Sequence, residues 1–312
     1  MHNPTSPTAT KHGVSLWLQS MPLLFVLLWS TGFIGSRYAS LYSEPLTFLA
    51  LRMSIVAVLL LMAAWVGKAP WPHNLVQVRQ TAMAGLLVHA GYLGGVMCAL
   101  KQDMSVGLIA LITCLQPILT ALAAGPLFGE KVTRRQWVGL LLGLVGVGFV
   151  VSSKLNTMQA PSLLGMAQSV FALVAITAGT LYQKRHGANM DLRTGGVIQY
   201  GASAVVLAVL AATTETMHID WTPQFGFALA WLCIVLSLGA ISLLYLLIRR
   251  GEAAKTASLF YLVPPVTALM AFVLFDEVLT PSAMLGMLIA AVGVALVIHK
   301  SSQPRTLPSA ID

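Results

Sequence analysis

Single polar and aromatic side chains lie within long apolar runs of this chain, where each could contact a small molecule. The candidates for binding a substrate are Trp29, His89, Tyr92, Thr113, Gln116, Trp231, Tyr245 and Tyr261. Aromatic rings that carry a polar atom suit a cavity for small zwitterions or aromatic molecules. No catalytic triad, nucleotide-binding glycine loop or cluster of metal ligands accompanies them. We therefore expect binding rather than catalysis, with no metal and no cofactor.

Two of these candidates have a competing structural interpretation. Thr113, Gln116 and Thr120 share one face of a helix, and an amide deep in an apolar segment needs a partner. Gln116 either binds substrate or joins two helices. His89 is the single histidine well inside an apolar run. It serves either as a neutral interhelical hydrogen-bond partner, which we favour, or as a ligand contact or proton sensor.

Four further residues would shape such a site or lie at its mouth. Pro117, Pro264 and Pro265 each remove a helical hydrogen bond, which predicts a hinge in two helices. The carbonyl groups freed by these prolines belong to Thr113, Phe260 and Tyr261. Arg52 lies about two turns into an apolar run, at the expected outer mouth. It either clamps helices by bonding backbone carbonyls, the structural role that we favour, or attracts substrate carboxylates.

The composition requires that these residues be held inside a membrane. Of 312 residues, 57% are hydrophobic and 9% are charged, against about 25% charged in an ordinary soluble domain. The mean hydropathy is +0.82. The net charge of +8 comes from basic residues that lie singly or in pairs between apolar runs, which argues against nucleic acid as a partner. Cys98, Cys114 and Cys233 lie alone in apolar stretches, so neither a disulfide framework nor a zinc site is expected.

About 20 apolar residues are needed to cross a bilayer as a helix, and ten such runs are present. They cover residues 22–40, 46–66, 80–100, 104–128, 135–152, 162–182, 194–213, 223–248, 255–275 and 281–299. The connections are too short to fold as domains, which confines function to the membrane bundle. We expect residues 1–20 to form a disordered tail without a cleaved signal peptide, and residues 301–312 to form a C-terminal tail.

The distribution of Lys and Arg predicts the orientation, since these residues mark cytoplasmic loops. With the N-terminus inside, the cytoplasmic segments hold 14 of the 18 basic residues: Lys11, Lys68, Arg79, Lys131, Arg134, Arg135, Lys184, Arg185, Arg193, Arg249, Arg250, Lys255, Lys300 and Arg305. The loops 214–221 and 276–280 on the opposite side carry acids and no Lys or Arg. Both termini are therefore expected in the cytoplasm.

The chain contains an internal repeat. Residues 107–150 align without a gap to 254–297, an offset of 147. The alignment pairs Pro117 with Pro264 and Glu130 with Glu277. It also pairs Gly139 with Gly286. We therefore divide the chain into repeats at 21–153 and 161–300, each with five spans. Because five is odd, the second repeat has inverted topology, which is typical of secondary transporters. The fold class is an all-α polytopic membrane protein.

Three stretches, residues 27–52, 116–147 and 264–294, carry a family resemblance. Their features are a small-residue-rich helix after Trp29 and the pair Pro45 and Arg52 at the start of the second run. Helices with Pro–x–x–Thr follow, ending in Glu130 and Glu277, each before a glycine-rich span. The chain resembles the EamA-like family of the drug/metabolite transporter superfamily. The resemblance implies ten helices, export or facilitated passage of small metabolites, often amino acids, and a central cavity lined by helices one, three, four, six, eight and nine.

No Asp or Glu lies clearly within a span, which disfavours a cation/proton antiporter and favours neutral or zwitterionic substrates. The alternatives are a sugar-phosphate or nucleotide-sugar carrier, which would need several basic residues in the cavity, and a drug exporter. A membrane-embedded enzyme would need paired carboxylates that are missing. The expected partners are a small-molecule substrate and the lipid bilayer. The expected location is the bacterial inner membrane, as a monomer or homodimer.

Glu130 and Glu277 are expected to bond nearby loop amides and to take no part in transport chemistry. Thr133 and Gln136 predict a capping box, and Thr280 with Pro281 predicts a helix start.

Overall fold

The structure, a computed structural model, describes residues 9–102, 104, 106–152, 162–187, 189–250, 253–275 and 279–299. Within these ranges the chain is helical, with one isolated β-bridge between Ser43 and Ile219. The helices are α1 (Ala9–Ser40), α2 (Pro45–Val66), α3 (Leu75–Lys101), α4 (Val106–Thr113 and Gln116–Phe128), α5 (Arg134–Ser152), α6 (Leu163–His186), α7 (Leu192–Thr214), α8 (Pro223–Arg250), α9 (Ala253–Ser258, Leu259–Leu262 and Val263–Phe275) and α10 (Pro281–Ile298).

Eight helices in the described ranges are long and apolar enough to cross a membrane. They are α2 to α8 and α10, and they match eight of the ten runs expected from the sequence. The other two runs correspond to α1 and α9. The α9 helix consists of three short pieces. The chain is thus an all-helical, multi-span membrane protein.

The N-terminal expectation needs a correction. The first helix begins at Ala9, so residues 9–20 are helical rather than disordered. This segment continues the same helix that holds the first apolar run. Residues 1–8 and the C-terminal tail at 301–312 lie outside the described residues, as do Asp276, Glu277 and the connection between the repeats at 153–161.

The α5 and α10 helices, which occupy equivalent places in the two repeats, pack along their lengths and run antiparallel. A Cβ added to Gly139 would lie 2.6 Å from the carbonyl oxygen of Gly293. At the other end of the contact, a Cβ on Gly146 would lie 2.6 Å from the carbonyl oxygen of Gly286. If each glycine is replaced by its equivalent in the other repeat, the first contact becomes the second, as a pseudo-two-fold relation requires. The backbones touch here because side chains are absent.

The α2 and α7 helices form a second antiparallel pair of equivalent helices. At one end, the carboxylate of Glu215 accepts the backbone N–H groups of Leu46 (2.9 Å) and Thr47 (2.7 Å) at the start of α2. A negative charge is favourable there because the first N–H groups of a helix lack intrahelical partners. At the other end, Thr194 Oγ1 donates to the Pro70 carbonyl at 2.8 Å.

These contacts define two ends of the bundle. The acidic end contains the loops 41–44 and 215–222, with Glu44, Glu215 and Asp220 beside Lys101. The basic end contains the loops 67–74, 129–133 and 187–191 and the end of α8. Its basic residues include Lys68, Lys131, Lys184, Arg193 and Arg249. Within the described residues, the two ends of the helix bundle therefore carry opposite charge.

Irregular segments occur at equivalent positions in the two repeats. π-Helical stretches span Leu86–Leu93 in α3 and Leu232–Ala240 in α8. The α4 helix breaks at Cys114 and Leu115, and α9 contains the 3₁₀ turn Leu259–Leu262 at the matching place. Such irregularities are frequent at functional sites because they re-aim side chains.

Two predicted helix starts are confirmed. Thr133 N–H donates to Gln136 Oε1 at 2.8 Å, and Gln136 N–H donates to Thr133 Oγ1 at 3.3 Å, which forms the capping box before α5. Thr280 Oγ1 accepts the N–H of Ala283 at 3.2 Å at the start of α10.

Candidate functional site

A cavity lies between the two repeats, with walls from α1, α2, α3, α4 and α8. Its free volume is about 50 Å³, enough for a few water molecules. The polar and aromatic residues on its wall are Trp29, Ser36, Arg52, His89 and Tyr92. The structure thus brings together three residues predicted to bind substrate, Trp29, His89 and Tyr92, with the predicted mouth residue Arg52.

An aromatic cluster surrounds Trp29, and two of its rings, Trp29 and Tyr92, are on the wall of this cavity. The Trp29 ring stacks near Tyr92, with centroids 6.4 Å apart, and meets Phe260 edge-on at 5.1 Å. The Phe25 ring lies 5.2 Å from that of Trp29 and 5.4 Å from that of Phe260. Trp29 is 6% exposed, so its orientation is fixed by packing. Rings from both repeats therefore hold Trp29 in place on the cavity wall.

His89 occupies the centre of the buried polar groups. Its ring stacks on Tyr200 with centroids 4.1 Å apart, and its Nε2 lies 3.5 Å from the hydroxyl of Tyr245. The Tyr200 hydroxyl donates to the Ser237 carbonyl at 3.1 Å. Tyr245 is therefore not on the cavity wall itself, but it contacts His89, which is. Tyr200 and Ser237 were not among the expected residues. The polar pair Gln199–Tyr200 within an otherwise apolar run was the available signal.

Arg52 is almost fully buried, at 1% exposure, and reaches across to α8. Its Nε and Nη2 donate to Ser237 Oγ at 3.1 and 2.9 Å. The acceptor is thus a side-chain hydroxyl in the π-helical stretch of α8, rather than the backbone carbonyls expected for a clamp. Among the described residues no carboxylate bonds to this guanidinium.

A second, much smaller pocket lies toward the basic end. Its free volume is about 10 Å³, and Gln116, Thr120, Thr180, Lys184 and Phe260 are on its wall. The structure therefore places Gln116 apart from Trp29 and His89. The Gln116 Nε2 and Thr120 Oγ1 atoms are buried and lack hydrogen-bond partners within the described chain. The pocket offers unused donors and acceptors at the point where α4 breaks.

Glu130 joins three helices beside this second pocket. One carboxylate oxygen pairs with Lys184 of α6, and the other accepts the N–H of Ala253 at 3.1 Å, at the start of α9. Lys184 also lies over the Phe128 ring at 5.3 Å. Glu130 therefore bonds a backbone amide, as the sequence predicts, and that amide belongs to the opposite repeat. This contact closes the basic end of the bundle.

The predicted hinge prolines lie at the two helix breaks. Pro117 is in the first turn of the second piece of α4, and Pro264 and Pro265 begin the last piece of α9. Pro264 has no N–H to offer the Phe260 carbonyl, which accepts the N–H of Val263 in the 3₁₀ turn and a weak hydrogen bond from Cys114 Sγ at 3.9 Å. The irregular segments of α4 and α9 therefore contact each other, one from each repeat.

Thr113 and Tyr261 are not on the wall of the main cavity. The Thr113 hydroxyl donates back to the carbonyls of Ile109 and Ala110 in its own helix, at 2.9 and 3.1 Å. Tyr261 is fully buried against α5, where a Cβ on Gly143 would lie 2.3 Å from its ring.

Trp231 lies in a different groove, between α1 and α8, with a free volume of about 560 Å³. Its Nε1 donates to Thr31 Oγ1 at 3.0 Å. In a regular helix Trp231 and Tyr245 would share a face. The intervening π-helical stretch uses an extra residue in each turn and turns Trp231 away from the cavity.

Titratable groups in the described chain lie mainly at the helix ends. The described acids are Glu44, Glu130, Asp191, Glu215 and Asp220, and each lies at a helix end or in a loop. Hydrogen bonds from Thr216 lower the pKa of Glu44, and those from Arg193 lower the pKa of Asp191. The described carboxylates therefore lie at the bundle ends, whereas Arg52 carries its charge inside the bundle.

A polytopic helical bundle whose equivalent helices pack antiparallel around a small central cavity is typical of membrane transporters. The model of the EamA-like transporter family matches residues 16–152 and again residues 163–299. The chain belongs to the EamA-like transporter family. The two matches have the same length and the same offset of 147 residues that relates the prolines and glycines of the internal repeat.

Relatives in bacteria are similar over most of the chain. The chain is 27% identical to the uncharacterized transporter YvbV of Bacillus subtilis (strain 168), over 88% of this chain and 90% of that protein. It is 25% identical to a protein of Escherichia coli (strain K12) named "Probable amino-acid metabolite efflux pump", over 88% of this chain and 92% of that protein. A solved crystal structure covers 89% of this chain and 96% of its own, with a TM-score of 0.74 and 18% identity, which shows the fold.

Proposed function

We propose that this chain is a secondary transporter that exports or facilitates the passage of small neutral or zwitterionic metabolites, amino acids or related compounds. The single observation that carries the proposal is the cavity between the repeats, whose wall holds the aromatic rings of Trp29 and Tyr92 and the polar side chain of His89. Aromatic surface with few fixed charges suits such substrates better than strongly charged ones. The E. coli relative named as an amino-acid metabolite efflux pump supports the same class.

The mechanism that we propose is alternating access across a pseudo-two-fold axis. The main cavity and the second pocket lie on either side of the paired breaks in α4 and α9. The second pocket is narrow and sits beside the Glu130–Lys184 ion pair. Pro117, Pro264 and Pro265 are the proposed hinges. Since the main cavity holds only a few waters, its walls must separate to admit a substrate.

The arrangement in the membrane is part of this proposal. All ten helices cross the bilayer, and the basic end faces the cytoplasm because Lys and Arg favour that side. Both termini then lie in the cytoplasm. We place the protein in the bacterial inner membrane, as its relatives are bacterial. A sugar-phosphate carrier would need several basic groups in the cavity, and Arg52 is the basic residue that the described chain places on the main cavity wall.

The test is efflux from proteoliposomes that hold this protein alone and are loaded with labelled amino acids and small metabolites. We expect selective, saturable loss, measured with and without a pH gradient. Trp29→Ala should lower the rate at least about tenfold without loss of yield, because it removes the central ring of the aromatic wall. Trp65→Ala is the matched control, since Trp65 is 81% exposed. Wild-type rates in Trp29→Ala would contradict the cavity assignment.

A further inference from the structure

Arg52 carries a buried positive charge without a matching negative charge in the described chain. Burying an unpaired guanidinium costs several kcal/mol unless other groups satisfy it. Two of its nitrogen atoms share one neutral acceptor, Ser237 Oγ, although the group has five N–H donors. A structural ion pair is the usual reason to bury an arginine, and the hydrogen bonds of Arg52 contain none.

The surroundings of Arg52 are neutral. Cys233 Sγ donates to its backbone carbonyl at 3.9 Å, and the hydroxyl of Tyr200 bonds to the Ser237 carbonyl beside it. His89 stacks on Tyr200 and lies on the same cavity wall as Arg52. Every described acid lies at a helix end or in a loop. The charge therefore faces a cavity whose described lining offers it no anion.

The repeat shows that the fold does not need a charge at this position. By the offset of 147 residues, the partner of Arg52 in the second repeat is Gln199. Gln199 is also buried, and its Nε2 donates to Gln183 Oε1 at 2.9 Å. The equivalent site is thus filled by a neutral amide that bonds to another amide. The charge at Arg52 is a feature of the cavity rather than of the shared packing.

We propose that Arg52 binds the carboxylate of the transported molecule and so selects substrates that carry one. This inference rests on the proposed function and adds the chemical class that the site prefers. A guanidinium presents paired N–H donors that match the two oxygens of a carboxylate. Trp29 and Tyr92, on the wall of the same cavity, contact the apolar part of the substrate. An amide in place of the carboxylate forfeits the charge interaction and binds more weakly.

The experiment compares two probes that differ in this group alone, 3-phenylpropionate and 3-phenylpropionamide. Binding to the purified wild-type protein is measured by its thermal stabilisation as each probe is titrated. We expect the carboxylate to bind at least tenfold more tightly than the amide. Arg52→Gln should abolish the difference, and Arg52→Lys should restore part of it. Lys101→Gln is the control, because Lys101 pairs with Glu44 at the exposed acidic end.

Two measurements do not depend on whether Arg52→Gln folds. Equal affinity of the wild type for both probes, or no binding of either, overturns the proposal. Ser237→Ala retains the guanidinium and removes its hydroxyl acceptor, so the carboxylate preference should persist or grow. Loss of the preference in Ser237→Ala would also overturn it. Displacement of the carboxylate by equimolar chloride would show a site for any small anion and overturn the carboxylate assignment.

The outcome separates this inference from the proposed function. If wild-type proteoliposomes transport no amino acid but bind the carboxylate through Arg52, the proposed function fails and the carboxylate site stands. If they transport amino acids and the wild type binds both probes equally, the proposed function stands and the inference fails.

Discussion

Two regions of the molecule differ in how closely the two repeats match. They are the seam, where α5 packs on α10, and the polar centre around His89. In the seam, the glycines at the two backbone contacts described above recur in both repeats, Gly139 with Gly286 and Gly146 with Gly293, although the neighbouring Gly143 is equivalent to Ala290. In the polar centre the equivalent positions differ. The pairs are Trp29 with Ile176, Arg52 with Gln199 and His89 with Leu236. Gln116 of the second pocket also differs from its equivalent, Val263.

The physical reason is the kind of contact that each region makes. In the seam the two backbones touch, and each glycine faces the backbone of the other helix, so neither copy tolerates a side chain. In the polar centre the two repeats face a shared cavity, and one copy can supply a polar group while the other supplies packing. The symmetric region therefore holds the fold together, and the asymmetric region holds the chemistry.

The largest effect is expected in the seam. Gly146→Leu and Gly293→Leu should each prevent folding, because a Cβ on either residue lies 2.4–2.5 Å from backbone atoms of the opposite helix. The cost exceeds the roughly 1–3 kcal/mol of ordinary overpacking, since backbone has to move. The measurement is the yield of monodisperse protein in detergent. Gly148→Leu is the control, because a Cβ there meets nothing within 4 Å. Normal yield from one of the two seam variants would show that equivalent glycines in the seam are not equally required for folding.

An intermediate effect is expected at the second pocket, where Gln116 differs from its equivalent in the other repeat. Gln116→Val gives α4 the residue that α9 has at the equivalent position. Because Gln116 Nε2 is buried without a partner, the change should leave thermal stability equal or raise it by about 1 kcal/mol. Transport in proteoliposomes should fall several-fold, since the cavity path loses a polar contact.

The control for Gln116→Val is Gln168→Val. Gln168 also has a buried, unpartnered oxygen, but it lies on the wall of neither the main cavity nor the second pocket. It should change stability in the same direction and leave transport unchanged. If Gln116→Val instead lowers stability and spares transport, Gln116 joins helices and the asymmetry at this position is structural.

The smallest effect is expected outside both regions, at Glu44 and its repeat equivalent Asp191. The pKa of each carboxylate is lowered by hydrogen bonds, from Thr216 and Arg193 respectively. A lowered pKa in the folded state means that the stabilisation is present at neutral pH. It is lost as the pH falls below the ordinary carboxylate range of about 4.

Glu44→Gln and Asp191→Asn should therefore each flatten the acid side of a plot of Tm against pH, by no more than about 3 °C. Differential scanning fluorimetry between pH 3 and 7 makes the measurement. A steeper acid side in either variant would reverse the sign and show that the carboxylate is stabilised in its protonated form.

Different features of the molecule could be predicted to different depths. The apolar runs gave the helices because a bilayer requires about 20 apolar residues with every backbone group bonded internally. The capping box at Thr133 and the start at Thr280 followed from local chemistry. The start of α1 at Ala9 did not, since polar residues that read as a tail continue the helix. The placement of Trp231 also failed to follow, because a π-helical stretch in α8 shifts the faces of the helix.

The sequence by itself determined the class of protein and the repeat, because hydropathy acts over whole helices and the prolines, acids and glycines recur at one offset. Tertiary structure alone decided that Trp29, His89 and Tyr92 meet at one cavity while Gln116 lies in another. It also decided that Arg52 finds a hydroxyl of α8 and no acid among its bonded partners. These facts depend on the rotation and depth of helices from both repeats, and small irregular turns set that rotation after the apolar pattern has fixed the bundle.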